Sequence, residues 1–255
     1  MQVSIQRRTT IVVGVFGALT LLMPGVACAQ QTTGRLYAAS GAGVTVSVAT
    51  LRVPEKAWKH YAKAKEAAEH DRLDEADRET EKAIEIAPDF AQAYLLRADS
   101  LVQKHAFEAA IANVKEARRV EPDVTLAGVV LAGAYNGMHR YEEARLALGE
   151  LHGSEKAAWQ AAYEGARSAI GLNDVEGALR WSAVAMNSAP QGFIDVHLVR
   201  TNALILARRW SEAQEQLETY LQLPGKLEHR DDVLAALERV KIHVREEELK
   251  TVASR

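Results

Sequence analysis

Ala76, Ala110, Ala144 and Ala178 stand 34 residues apart, and so do Ala64, Ala98, Ala132 and Ala166. Each alanine of the second set lies twelve residues before one of the first. Pro88 and Pro122 recur as Pro190, three periods after Pro88, and Ala83 and Ala117 recur as Ala185. Four interlocking series at one period make internal repetition the organising rule of the chain. A unit this short cannot bury its own apolar face, so each must be completed by its neighbours.

The unit itself reads as two helices. "PEKAWKHYAKAKEAAEH" opens on Pro54, suited to a first helical turn, and contains no breaker. "RLDEADRETEKAIEIA" follows, and Pro88 then ends the second helix and turns the chain. Aromatic residues make up only 6% of the chain, which favours helices packed through small side chains over a sheet. An alanine from each helix of a pair permits a close antiparallel crossing. Leu73, Phe107, Tyr141 and Val175, again at the 34-residue period, are expected to fill the groove around that crossing.

These features resemble the tetratricopeptide repeat family. Repeats begun at Ala57, Ala91, Thr125 and Trp159 place Ala64, Ala98, Ala132 and Ala166 at the motif's small eighth position. The same phase places Ala76, Ala110, Ala144 and Ala178 at its twentieth, and Leu101 and Tyr135 at its bulky eleventh. There are departures: Lys63 and Arg97 stand where leucine is usual, and Ala67 and Ala169 replace the bulky eleventh residue. Repeat three lacks the final proline and crosses its turn with "ELHGSEKA", where Gly153 can end the helix. A fifth unit is displaced by one residue, Ala213 following Ala178 by 35, with Trp210 in the Phe107 place. The resemblance implies an all-α, right-handed superhelical solenoid. Residues 231–252, with Val233, Leu234, Leu237, Val240, Ile242 and Val244 on an apolar side, form its C-terminal capping helix.

The resemblance also implies a binding surface. In the family, the second, fifth, ninth and twelfth positions of each first helix face the concavity. On this chain they include Trp58, Tyr61 and Lys65, then Gln92, Leu95 and Asp99, and Asn136 further on. Tyr163, Arg167 and Asn202 complete the candidate peptide-binding residues. Trp58 and Tyr61 serve equally as packing for the lead segment. Tyr163 and Arg167 lie outside the helix crossing, so replacing both is expected to leave the fold nearly intact. The family's clamp for acidic C-terminal tails is absent, because Tyr61, Lys65 and Leu96 occupy its positions.

The first 29 residues have the form of a secretory signal: Arg7 and Arg8, a 13-residue mainly apolar run from Ile11 to Met23, and an Ala27-Cys28-Ala29 cleavage site. That run falls short of the roughly 20 residues that span a bilayer, so no membrane span is expected after processing. Cys28 as a lipidated first residue is the alternative. Residues 30–53 read as a flexible lead, with alternating Val44, Val46 and Val48 offering one isolated strand. The repeat array then runs over 54–230.

Function is bounded mostly by exclusion. With 31 Lys and Arg against 34 Asp and Glu, there is no electrostatic case for nucleic acid. The eight histidines show no metal-binding spacing, and no nucleophile elbow or glycine-rich phosphate loop occurs. No metal, no cofactor and no enzymatic activity are therefore expected. The expectation is an exported scaffold that binds a protein or peptide through its concave face. Alternatives are an assembly module whose groove is filled by residues 36–52 or by another copy of the chain, and an accessory factor of an envelope enzyme.

Overall fold

Five helix pairs and a long last helix account for the described part of the chain. In the computed structural model these are residues 52–124, 126–151, 159–190, 193–223, 227 and 230–254. The signal-like stretch, the 30–51 lead with its valines, the Gly153 turn, Thr125 and Pro224-Gly225 lie outside the described residues. The pairs are α1 (Glu55–Glu69) with α2 (Leu73–Ile86), α3 (Ala91–Gln103) with α4 (Phe107–Val120), and α5 (Ala127–Gly137) with α6 (Tyr141–Gly149). They continue with α7 (Trp159–Gly171) and α8 (Val175–Ser188), then α9 (Asp195–Leu206) and α10 (Trp210–Gln222); α11 (Arg230–Ala253) ends the series. No strand occurs among the described residues.

One turn is used five times. Asp71, His105, His139, Asn173 and Arg208 have φ of 58–59°, the left-handed conformation that reverses the chain between the helices of each pair. The following amide in each case reaches five residues back: Arg72 to Ala67 at 2.8 Å, Ala106 to Leu101 at 2.9 Å and Arg140 to Tyr135 at 2.8 Å. Asp174 to Ala169 and Arg209 to Leu204 repeat the bond at 2.9 and 2.8 Å. The left-handed residues are spaced 34, 34, 34 and then 35 apart, so the one-residue displacement of the fifth unit is a property of the backbone. The second helices start favourably, with acids such as Asp74, Glu75, Glu142 and Glu143 against the positive end of the helix dipole. Asp174 goes further, its Oδ1 accepting the Gly177 amide at 2.9 Å.

The alanine series occupy the crossings. Ala64, Ala98, Ala132, Ala166, Ala76, Ala110, Ala144 and Ala178 are all 0% exposed, as are Ala83, Ala117 and Ala185. Every first helix packs on its own partner and on the second helix before it, and successive first helices also touch: α1 with α3, α3 with α5, α5 with α7, α7 with α9. The first helices therefore form the inner layer and lose most of their surface. The second helices keep an exposed outer face.

Two of the four expected groove fillers find a different partner. Phe107 and Tyr141 lie against Gly137 and Gly171 of the following repeat, where an added Cβ would stand 2.3 and 2.4 Å from the rings. The aromatics that open α4 and α6 thus seat on a glycine one repeat on. Val175, at the same position, is 38% exposed. On α11 the buried face is Val233, Ala236, Leu237 and Val240, packed with the partly buried Val244, against α10. Leu234 and Ile242 are off that face and 40% and 53% exposed, because the helix turns about 100° per residue and only residues three or four apart return inward. Trp210 stacks on His243 of α11 at 4.2 Å.

Candidate functional site on the inner layer

The inner layer brings the sequence-predicted residues onto successive first helices, but it buries most of them. Trp58 is half-buried and meets Phe90 edge-on at 4.6 Å, and Tyr61 lies 5.1 Å from the same ring. Phe90 is 0% exposed and immediately precedes α3, so these aromatics couple the first repeat to the second. Burial pushes the Tyr61 phenol well above its ordinary range. Leu95 belongs to the apolar core, whereas Lys65 and Gln92 stay half-exposed, with Gln92 Nε2 donating to Glu121 at 3.4 Å.

Tyr163 corrects the sequence reading. It is 1% exposed and packs at 5.1 Å against Phe193, which also receives Trp159 at 4.5 Å. Its removal would open a cavity, so the expectation that Tyr163 and Arg167 can be replaced without cost to the fold does not hold. The reason is geometric: the chain entering α9 places Phe193 over the start of α7.

Behind Tyr163 lies a polar network. Asn136 Nδ2 on α5 donates to the Glu164 carbonyl at 3.0 Å and to Glu164 Oε2 at 2.8 Å. Ser168 Oγ lies 2.9 Å from both Asn136 Oδ1 and the Glu164 carbonyl. Arg167 Nη1 forks onto Glu164 at 2.9 and 3.0 Å, both side chains being about nine-tenths buried. Such a charge-assisted, buried arrangement holds its members rigidly. Gly133 faces it: an added Cβ there would sit 3.6 Å from Glu164 Oε1 and 3.6 Å from Val102.

Other inward groups lack partners. Asp99 is 4% exposed and its Oδ2 has no hydrogen bond; both amide atoms of Gln103, 2% exposed, and of Asn202, 0% exposed, are likewise without one among the described residues. Burial, and then the nearby Glu164 charge, push the Asp99 carboxyl well above the carboxylate range. Lys65, Asp99, Gly133, Arg167 and Asn202 share the ninth repeat position, so one register carries ammonium, carboxylate, glycine, guanidinium and amide in turn.

Gln103, Glu164 and Ser168 were not among the sequence candidates. For Glu164 there was a signal: it occupies the sixth repeat position, where Leu96, Val130 and Val199 stand in three of the other units and are buried. Arg97, out of place for the family, is explained by its 2.8 Å bond to Asp77 of the preceding α2. Lys104 adds a second tie to the same helix, reaching Asp74 at 2.7 Å. The acids of α2 are therefore partly inter-helix ties and not a wholly solvated face.

Among the described residues no three His, Cys, Asp or Glu side chains gather to hold a metal ion, and no helix is long and apolar enough to cross a membrane. The same helix order occurs in known structures. MamA (41-end) from Desulfovibrio magneticus RS-1 matches 67% of this chain and 96% of its own, with a TM-score of 0.52 at 14% identity. The APC/C hetero-tetramer Cut9-Hcn1 matches 90% of this chain with a TM-score of 0.64 at 18% identity. The chain is an all-α solenoid. It spans 42% of the matched Cut9-Hcn1 chain, and at these identities the likeness is one of fold. No protein-family model matches the sequence, and no curated protein matches it.

Proposed function

We propose that the protein is a non-enzymatic tetratricopeptide-type scaffold, a right-handed superhelix that holds an extended segment of a partner protein along its inner layer. The reading also takes the first 29 residues as an export signal, on the strength of the cationic start, apolar run and Ala27-Cys28-Ala29 site. One observation carries the binding role: the inner layer buries amides, at Gln103 and Asn202, that have no hydrogen-bond partner among the described residues. A buried amide left unpaired costs about 1–3 kcal/mol, and a partner's main-chain N–H and C=O are the groups that would complete it. A repeat solenoid offers such a surface without a chemical pocket.

A photo-crosslinking side chain introduced at Gln92 tests this, with the exposed Arg180 on α8 as the outer-face control. A discrete adduct to another protein is expected from the Gln92 probe only, and Asn202→Leu should abolish it. The same substitution should raise the urea midpoint, by about 1 kcal/mol, because it removes an unpaired buried amide. Adducts from the Arg180 probe alone would move binding to the outer face. Crosslinks to residues 36–52 or to a second copy would instead make the protein a self-filled module. Intact mass of the exported protein, expected to begin at Gln30, checks the processing.

A further inference from the structure

The last helix carries two apolar stripes, and the repeat stack covers only one of them. Val233, Ala236, Leu237 and Val240 are the covered stripe, packed on α10. Leu234, Ile242, Leu249 and Val252 form the other, and all four are exposed, Leu249 and Val252 by 69% and 72%. At about 100° per residue, this second stripe lies on the side of α11 turned away from α10. Apolar residues on both sides of a helix call for packing on both. The helix also outruns its support. Its 24 residues lie against a 13-residue α10, and every residue from Arg245 to Ala253 is exposed. A helical segment of that length with nothing packed on it is marginal in water.

The charges beside the stripe indicate its occupant. Lys241 and Arg245 border it on one side, and Glu248 follows on that same side. We propose that the exposed stripe of α11 pairs antiparallel with the same stripe of a second copy of the chain. A two-fold axis that sets Ile242 opposite Leu249 of the second copy sets Glu248 opposite position 243, between Lys241 and Arg245 of that copy. Each contact then occurs twice, as an isologous interface requires. Lys241 is shared with Glu238 of its own helix, at 2.9 Å, which leaves Arg245 as the main partner of Glu248. Opposite charges on the borders of an apolar seam fix its orientation and register. The run Glu246, Glu247 and Glu248 opposes a lipid surface, which selects a polar face rich in Lys and Arg. The pairing uses none of the first helices of the inner layer, so it is independent of the scaffold reading.

Sedimentation velocity of the full chain over a concentration series reads the pairing, and a shift from monomer to dimer is expected. Leu249→Glu should leave a monomer throughout with helicity by circular dichroism retained, because that side chain is exposed in the single chain. Glu248→Arg should weaken the dimer about tenfold, since the two-fold doubles each lost charge pair. Adding Arg245→Glu to the same chain should restore it. Register is read by cross-linking: on a Cys28→Ser background, mixed Ile242→Cys and Leu249→Cys chains should oxidise to the 242–249 dimer in preference to either chain with itself. A monomer at every concentration, a dimer indifferent to Leu249→Glu, or cross-links of like positions only overturns the proposal. So does a chain that stays monomeric and partitions onto phosphatidylserine vesicles unless Leu249 is replaced by Glu.

Discussion

Asp99 is the residue at which burial and ionisation most directly oppose each other. Burial and the Glu164 charge raise its carboxyl well above the ordinary range, so the folded chain keeps that proton to higher pH than the unfolded chain does. The sign follows directly. Its stabilising contribution is fully present below the ordinary aspartate range and is lost as pH rises through the raised folded value. Asp99→Asn, which cannot ionise, should therefore match wild type in urea midpoint at acidic pH and exceed it at neutral pH. Parallel midpoints at all pH values would show that Asp99 ionises as freely folded as unfolded. Glu164 is the contrasting case, a buried carboxylate completed by Asn136 and Arg167. Asn136→Ala should cost about 1–3 kcal/mol by urea denaturation, since it strips a donor from a buried charge.

At the scale of the element, the inter-helix turn is the most informative feature. Five non-glycine residues adopt φ near 58°, a conformation that costs an L side chain about 1–2 kcal/mol. They endure because the five-back hydrogen bond closes each helix and launches the next. Asparagine tolerates this region and arginine does not, so the strain is unequal among the turns. Arg208→Gly should raise stability by up to about 1 kcal/mol after the entropy glycine adds to the unfolded chain, and Asn173→Gly should gain less. Thermal denaturation of the two variants side by side makes the comparison. A second element-scale device is the aromatic-on-glycine joint, where Phe107 on Gly137 and Tyr141 on Gly171 fix one repeat against the next.

Across the described helices, stability is passed from neighbour to neighbour, because the main helix contacts join adjacent repeats. Ala110, 0% exposed at the crossing of α4 with α3, is a place to test that. Ala110→Leu should overpack the crossing and cost about 1–3 kcal/mol. Hydrogen exchange should show protection lost first in α3, α4 and α5, with α9 to α11 retaining theirs. Uniform loss along the chain would mean that the solenoid unfolds as one unit. The two ends differ: α1 opens the stack through the Trp58–Tyr61–Phe90 cluster, and α11 lies along α10 at the other end.

Helix pairing, repeat length, the displaced fifth unit and the alanine crossings were legible in the sequence, because close helix approach demands a small residue at a fixed period and nothing else satisfies it. The buried face of α11 was only half legible: Val233, Leu237, Val240 and Val244 were named, but Leu234 and Ile242 were drawn in by hydropathy against the helical angle. What the inner layer does with its polar residues was decided by tertiary structure alone. Position within a repeat says which way a side chain points, yet not how near the next first helix comes. That distance converts Tyr163 from a groove contact into core under Phe193. Hydrogen-bond completion depends on residues roughly 30 positions apart meeting within 3 Å, as Asn136 and Glu164 do. Only the packing of one repeat on the next brings such pairs together.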